Sequence, residues 1–519
     1  MKFLRLQDPL LLPLYEDQEI LAIDKPYGIN AHTNDSKVEH SEFIQDGLIE
    51  ILEKQVQKKL HIIHRLDQTT TGVIIFGKSA EAAKKYSEYF FNREVKKTYW
   101  FVTKSHSAKK EVTIDHDIIH KAKELTAKTQ FQLLNRSEGL ELWQAKPLTG
   151  RNHQIRIHAK SAGLPILGDS LYGGAQNSFL CLHNHKIEFP NGLVLTSKPP
   201  VYFEDVSLLK NAILSELHFE ADRRLRLFSR NTLGNYRMVH QADLSLDQLG
   251  QQLILNCGKI FDTQQVQSAY QQFANKMKIK LIINNPQSST PASKWLAQEN
   301  NYQFECRTNS GPLVGLHLNQ RLQRNWVFQN SSDKSVLHLF ASNCGFGLAA
   351  AKGNAASVIS VEASKKLIEW GQQNFKLNSL SSDQYKFLCR DSLHYLKQAR
   401  SKMIKFDLIV CEAPSFYKGE KGVFKIERDL NTLLENCLVS LNPEGHLLFS
   451  TGFDGFNIVE LKQAINDVQK SLKLNLRLSC IQSSLDFELP DQRTTFKSFL
   501  IQVTPGDRYV IRNGATQAC

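Results

Sequence analysis

At 519 residues the chain is too long for one ordinary domain, and its length points to about three. Hydrophobic residues at 41% and charged residues at 22% exclude a disordered or fibrous chain, and the net charge of +12 favours a polyanionic partner. Nine scattered cysteines with no C-x-x-C pair indicate neither a zinc site nor a disulfide framework. Leu10-Leu11-Leu12 is cut by Pro13, too short for a signal peptide, and no apolar stretch approaches bilayer length. A cytoplasmic, non-membrane, monomeric protein is expected.

In chain order, residues 19–24 read as a strand feeding the turn Lys25-Pro26-Tyr27-Gly28. Residues 41–59 place Phe43, Ile44, Leu48, Ile51, Leu52 and Val56 at helical spacing, a helix that covers a sheet. The loop His64-Arg65-Leu66-Asp67-Gln68-Thr69-Thr70-Thr71-Gly72 then sits between Ile62-Ile63 and the buried strand Val73-Ile74-Ile75-Phe76. A carboxylate gripped between apolar strands is held as a nucleophile must be, and Arg65 is placed to meet phosphate or a displaced base. Read alone, the same residues also describe a structural Arg–Asp pair at a turn.

Residues 80–91 form a further helix, and Tyr99-Trp100-Phe101-Val102 a β-rich run in which Tyr99, taken alone, is a core aromatic. Strand-and-turn material follows over 105–146, with Lys109, Lys110, Lys121, Lys123 and Lys128 as either a solvated face or phosphate contacts. Arg151, His153, Arg156 and His158 crowd one short segment; as a strand it would put Arg156 and His158 on one side.

Four motifs in this order resemble the RluA-type pseudouridine synthases: Asp24 to Gly28, His64-Arg65-Leu66-Asp67 with its Thr-Thr-Gly, Lys96-Lys97-Thr98-Tyr99, and Thr149 to His158 backed by Pro165-Ile166-Leu167-Gly168-Asp169. The resemblance implies an α+β fold with a mixed, mostly antiparallel sheet over residues 1–215, and isomerisation of uridine to pseudouridine in 23S rRNA or tRNA without any cofactor. It implies Asp67 as catalytic carboxylate, Tyr99 against the target uracil, and Arg156 as the ion-pair partner that keeps Asp67 ionised. Arg65 by the same resemblance fills the gap left in the RNA stack, with Arg151 and His153 as further RNA contacts.

Beyond residue 217 the pattern changes. Arg223-Arg224-Leu225-Arg226-Leu227-Phe228-Ser229-Arg230 suits a structural helix or strand as well as it suits RNA contact. Residues 216–310 read as a small α+β connecting or RNA-binding domain with a helix around 263–277, and no low-complexity linker flanks it.

The strand Ser335-Val336-Leu337-His338-Leu339 then runs into a loop with Gly345 and Gly347, a helix over 348–352 and a second strand over 357–361 ending at Glu362. An acidic residue at that strand tip suits ribose hydroxyls, and the loose glycine fingerprint leaves an NAD-binding domain as the rival. Gly315 to Arg321, Cys389-Arg390-Asp391-Ser392, the strand 406–411 running into Glu412-Ala413-Pro414-Ser415-Phe416, Asn442 to Ser450 and Asp491-Gln492-Arg493 resemble the RlmI/RlmK-type ribosomal RNA methyltransferases. The resemblance implies an α/β Rossmann-like class I methyltransferase domain over 311–505, followed by a tail over 506–519. It places S-adenosylmethionine at Asn343, Gly345 and Gly347, its ribose at Glu362, its adenine side at Asp391, and the methyl acceptor at Glu412, Pro414, Ser415 and Phe416.

This sequence departs from that family at Glu412-Ala413, where Asp-Pro is usual, at Ser342-Asn343-Cys344-Gly345, where Tyr-Thr-Gly is usual, and at Asn319, where aspartate is expected. The alternative to a second activity is a catalytically silent, RNA-binding platform used in ribosome assembly. Cytosine-C5 methylation needs a cysteine thiolate, and neither Pro414-Ser415 nor Ser450-Thr451-Gly452 offers one. Guanine N7 needs only alignment with the methyl donor, and Phe449-Ser450 with Gly455-Phe456 resembles the guanine-N7 branch.

Overall fold

The computed structural model describes residues 2–4, 11–33, 47–120, 123–227, 234–241, 244–257, 264–284, 293–308, 314–381, 383–419, 422–481, 484–487 and 496–504. Phe43, Ile44, Phe228 to Arg230, Asp491 to Arg493 and the tail from 506 lie outside them. The chain divides into two units, Pro9–Ile282 and Met1–Asp8 with Ile283–Cys519.

In the first unit eight strands lie side by side in the order Pro13–Glu16, Ile20–Lys25, Thr71–Gly77, Leu182–Glu188, Lys96–Thr103, Leu140–Pro147, Lys128–Ser137 and Glu111–Asp115. Neighbours pair antiparallel except at the Thr71–Gly77 and Leu182–Glu188 junction, where Gly72 faces Asn184 in parallel. Gly72 has φ +109°, and a Cβ there would lie 2.2 Å from the Asn184 carbonyl oxygen, so glycine is what lets these strands meet. This is the mixed, mostly antiparallel sheet expected.

Val73, Ile74, Ile75 and Phe76 are fully buried, as their unbroken apolar run predicts. Val73 and Ile75 join Ile20, Ala22 and Ile187 in a cluster completed by Ala83 and Tyr86 of the helix Ala80–Phe91. Each buried valine or isoleucine there contributes about 1.5–3 kcal/mol. Ser79 caps that helix by accepting the Ala82 N–H, and its other end closes with Arg93 N–H on the Phe90 carbonyl and Glu94 N–H on the Tyr89 carbonyl.

The structure corrects three expectations. Residues 154–161 form a helix, Gln154–Ser161, rather than a strand. Helix-favouring Ala159, Lys160 and Ala162 and the left-handed Gly163 that ends it outweigh the apolar alternation, and Arg156 and His158 therefore point in different directions. The expected 216–310 domain is divided. The helices Ala212–Leu227 and Gln264–Met277 pack together through His218 on Phe273, and Lys276 pairs with Asp205, so this part belongs with the first unit. The hairpin Lys294–Glu299 and Tyr302–Arg307 belongs with the second, because Asn374, Asn378 and Trp370 hydrogen-bond its edge backbone at Gln303 and Glu305. Finally, Lys2–Leu4 pairs with Asn475–Ile481 in the second unit, so the first few residues of the expected 1–215 domain lie in the other sheet, covering an otherwise unpaired strand edge.

The basic run after residue 222 is structural where described. Arg226 pairs with Asp222 and Asp24, and buried Arg224 pairs with Glu220.

The second unit is an eight-stranded sheet in the order Lys2–Leu4, Asn475–Ile481, Lys497–Thr504, Leu441–Thr451, Phe406–Ala413, Ser335–Leu339, Ser357–Glu362 and Tyr385–Cys389. All pairings are parallel except those of Lys497–Thr504. Helices Gly345–Lys352, Lys365–Leu377, Ser392–Ser401 and Ile426–Val439 connect the parallel strands. Strand order reverses between Ser335–Leu339 and Phe406–Ala413, and a ligand crevice lies beyond the carboxyl ends of strands at such a switch point.

Candidate active sites

In the first unit Asp67, Tyr99, Arg65, Arg151, His153 and Arg156 line one open cleft of about 1380 Å³. Among the described residues, five cationic side chains line it (Arg65, Arg93, Lys97, Arg151 and Arg156) against the single carboxylate of Asp67. Asp67 Oδ2 lies 3.4 Å from Arg156 Nη1 and 3.7 Å from His153 Nε2. Asp169, fully buried, fixes the guanidinium with two 2.8 Å hydrogen bonds, from Nε and Nη2. The Tyr172 ring carries that guanidinium on its face at 5.1 Å, and its hydroxyl meets His153 Nδ1 at 2.9 Å. The Arg156 fork is therefore pre-aimed, with one nitrogen left over for Asp67.

The Asp67 loop is held from below by Lys25. This buried ammonium donates to the carbonyls of Pro26, Gln68 and Thr70 at 3.0, 2.9 and 2.9 Å. Burial pulls its pKa down to about 7, against an opposing pull from Asp67. His64 fixes the other end of the loop. Its Nε2 accepts the Ile75 N–H at 3.2 Å and its ring stacks on Phe90. Burial, with Lys97 nearby, drops its pKa to about 3, so the ring is neutral.

Tyr99 is buried in its strand, and burial together with Asp67 raises its phenol pKa, so the hydroxyl stays protonated at neutral pH. Lys97 reaches the Thr149 carbonyl at 2.9 Å, with burial lowering its pKa to about 8. The Thr149 to His153 turn is pinned by buried Gln154, which accepts from the Thr149 hydroxyl and the Arg151 N–H and donates to the Lys128 carbonyl. Arg151 spends its Nε on the Thr126 carbonyl, whereas Arg65 is exposed and makes no ion pair or side-chain hydrogen bond among the described residues. His158 faces away, onto Thr129.

Sequence reasoning missed Lys25, Asp169 and Tyr172 as site residues. Lys25 and Asp169 stood inside quoted motifs, but nothing local reveals that a lysine beside a proline is buried on three carbonyls. Tyr172 carries no local signal.

In the second unit the loop after Ser335–Leu339 holds Phe340, Ser342 and Cys344 in the left-handed region, at φ 53°, 48° and 63°. Three such non-glycine residues in five are costly and persist where a site needs the shape. Glu362 accepts the Ser342 N–H on Oε2 and the Ser364 N–H on Oε1, both at 2.9 Å, leaving a lone pair on each oxygen. Asp391 caps the next helix by accepting the His394 N–H. Asn343 is turned inward: its side-chain amide donates to the Gly315 carbonyl, and its own carbonyl accepts from Asn374. Gly347 serves packing, since a Cβ there would lie 2.5 Å from Ser360 Oγ, whereas at Gly345 the nearest atom is 3.7 Å away.

Glu412 is paired with buried His338 at 2.7 Å, and His338 Nδ1 accepts the Gly347 N–H. A ring accepting on Nδ1 is neutral and gives its Nε2 proton to Glu412. Burial pushes the Glu412 carboxyl up, but the His338 bond with His317 and Arg324 nearby outweighs it and holds the pKa below the usual value. Pro414, Ser415 and Phe416 follow, with Phe416 57% exposed. Cys344 and Cys411 are buried, and burial raises both thiols, Cys344 to about 12.

Among the described residues no group of side chains forms a metal site, and no helix is long and apolar enough to cross a membrane.

Residues 19–161 match the family model described as RNA pseudouridylate synthase, and residues 282–458 that described as S-adenosylmethionine-dependent methyltransferase. An uncharacterized RNA pseudouridine synthase of Haemophilus influenzae is 31% identical over 188 residues, covering 34% of this chain and 80% of that protein. The ribosomal RNA large subunit methyltransferase K/L of Psychrobacter cryohalolentis is 31% identical over 193 residues, 36% of this chain but 23% of that protein, so the chain spans under a quarter of it. A solved SAM-dependent methyltransferase-type protein from Streptococcus mutans is 19% identical, with 67% of this chain and 98% of that one covered at a TM-score of 0.50, a likeness of fold. The chain thus belongs, through its N-terminal half, to the RNA pseudouridine synthases, and its C-terminal half is an S-adenosylmethionine-dependent methyltransferase domain.

Proposed function

We propose that the first cleft isomerises uridine in ribosomal or transfer RNA, with Asp67, Tyr99 and Arg156 as its working residues. The observation that carries this reading is the Asp67 carboxylate at the floor of a cationic cleft, 3.4 Å from a guanidinium already fixed by Asp169. Asp67 attacks the base or the sugar carbon, and the N-glycosidic bond breaks. The uracil turns while held, its C5 bonds to the sugar carbon as the bond to the Asp67 carboxylate breaks, and the proton lost from C5 is balanced by one gained at N1. Tyr99 offers an aromatic face against the turning base and a hydroxyl that stays protonated. Arg156 orients the carboxylate, and a free uracil is retained because the cleft holds it between fixed walls. Arg65, unpaired and exposed, is available to fill the space the flipped nucleotide leaves.

For the second half we propose methylation of guanine N7 in ribosomal RNA. The residues fit S-adenosylmethionine: Glu362 keeps an open lone pair on each oxygen for ribose hydroxyls, Asp391 stands at the next strand end toward the adenine, and Gly345 leaves space above the loop. S-adenosylmethionine supplies an electrophilic methyl group. Glu412 and Phe416 position the acceptor. Glu412 is spent on His338, which suits an acceptor nitrogen that has a lone pair ready and no proton to lose. The buried thiols of Cys344 and Cys411 do not suit the thiolate attack of cytosine C5 chemistry. The second reading, a silent platform for RNA, is favoured by the inward Asn343 side chain.

The test maps pseudouridine and 7-methylguanosine in total RNA from a deletion strain, complemented with the wild type or Asp67→Asn. A pseudouridine restored by wild type but not by Asp67→Asn supports the first assignment, and its restoration by both overturns it. Loss of a methylguanosine in the same strain supports the second activity, and an unchanged methylation map supports the platform.

A further inference from the structure

Phe91 is 86% exposed, more than any other large hydrophobic side chain among the described residues. Single exposed apolar residues are ordinary on protein surfaces. Phe91, however, lines the cleft that holds Asp67, together with Ile62, Arg65 and Arg93. It ends the helix Ala80–Phe91, whose preceding residue Phe90 stacks on His64 at 4.8 Å, next to Arg65 in the chain. The platform beneath Phe91 is therefore rigid and fixed to the catalytic loop.

Arg93 supplies a second, independent observation. It occupies the left-handed position that closes the helix, at φ 63°, where glycine is the residue without steric cost. Placing arginine there stores backbone strain, and its side chain is exposed with no ion pair or side-chain hydrogen bond among the described residues. A cation at a helix carboxyl end is itself mildly favourable, but lysine or arginine one turn earlier would give the same benefit without the strain. An exposed flat ring and guanidinium groups without ion pairs, in a cleft that the described residues line with five cations and one carboxylate, fit single-stranded nucleic acid: the ring takes a base and the guanidinium its phosphate.

We propose that Phe91 and Arg93 form a stacking ledge for a nucleotide neighbouring the target uridine, a subsite separate from the pocket of Asp67 and Tyr99. The ledge rests on the reading of this cleft as an RNA-modifying site. It adds affinity for unpaired RNA flanking the target and leaves the chemical step alone.

The full chain is titrated with a uridine-containing RNA stem-loop carrying 2-aminopurine in its loop, and turnover is followed by tritium release from the same RNA labelled at uridine C5. Phe91→Leu keeps apolar bulk but loses the flat face. It should raise Kd and KM by roughly 5- to 100-fold with kcat unchanged, while Phe91→Trp retains wild-type values. Arg93→Gly removes the cation and relieves the backbone, so it should melt no lower than wild type yet bind more weakly, with a salt slope shallower by about 0.7–0.9. Wild-type Kd and KM in Phe91→Leu, or an unchanged salt slope in Arg93→Gly, would overturn the ledge. Absence of turnover in the wild type itself would count against the assigned reaction, and the binding titration would then judge the ledge.

Discussion

Lys25→Met should separate stability from activity in the first unit. The substitution removes three charge-assisted hydrogen bonds to the carbonyls of Pro26, Gln68 and Thr70, each worth about 1.5–3 kcal/mol. It also removes a buried ammonium whose pKa is drawn from 10.5 down to about 7, a penalty of about 5 kcal/mol. The two effects oppose each other, so the melting temperature should shift little. The Asp67 loop, in contrast, loses its tether, and misplacement by about 1 Å costs about 100-fold in rate. pH sharpens the test. As pH rises through 7, the wild-type ammonium gives up a proton and one of its three bonds, so turnover should fall between pH 7 and 9. The stability contribution runs the other way: the folded pKa lies below the unfolded 10.5, the unfolded chain holds the extra proton between them, and the wild type gains on Lys25→Met as pH rises across that window. Tritium release and thermal melts of both proteins at pH 6.5 to 9 read both trends. A Lys25→Met protein with wild-type kcat, or one that keeps the alkaline fall in rate, would refute the tether.

Asp67→Asn should abolish pseudouridine formation with an unchanged melting temperature, checked by tritium release and circular dichroism. Asp169→Ala strips a buried guanidinium of its two 2.8 Å bonds and should cost about 3–5 kcal/mol in urea unfolding, with Arg156 no longer aimed at Asp67. Glu362→Ala removes the acceptor for ribose hydroxyls and frees the Ser342 and Ser364 amides, so calorimetry should show S-adenosylmethionine affinity reduced by roughly tenfold or more. NAD binding equal to or tighter than S-adenosylmethionine binding would favour the dinucleotide reading of the same loop.

Much of the first fold was legible because its signals are local. The run Val73 to Phe76 reads as a buried strand, and the helix Ala80–Phe91 begins at a capping serine and carries its buried residues Ala82, Ala83 and Tyr86 on one face. Asp67 was legible because a motif surrounds it. The helix Gln154–Ser161 was also compatible with a strand because Ile155 and Ile157 alternate with polar residues, a period that a short helix can show when it is buried on more than one side. The 216–310 boundary failed for a different reason. What assigns the Lys294–Glu299 hairpin to the second unit is Asn374, Asn378 and Trp370 binding its backbone, contacts across some seventy residues that no local pattern contains. Lys25 and Tyr172 belong to the same class: their roles exist only once distant carbonyls, or an arginine, arrive beside them.

The two sites treat charge in opposite ways, and that difference bears on what each is built to do. In the first, among the described residues, cations outnumber carboxylates and Arg65 and Arg93 are exposed without ion pairs, which suits attraction of a polyanion and costs little because the charges remain hydrated. In the second, the arginines are neutralised internally, Arg324 by Glu299 through 2.6 and 2.8 Å bonds and Arg321 by Asp486, while Glu412 is hydrogen-bonded by the neutral His338. Buried pairs of this kind add little stability over apolar packing, but they fix geometry. A carboxylate locked to a neutral imidazole is a poor proton acceptor and a good ruler. That arrangement suits transfer to a nitrogen already carrying its lone pair, where the work is alignment within about 3–3.5 Å rather than deprotonation.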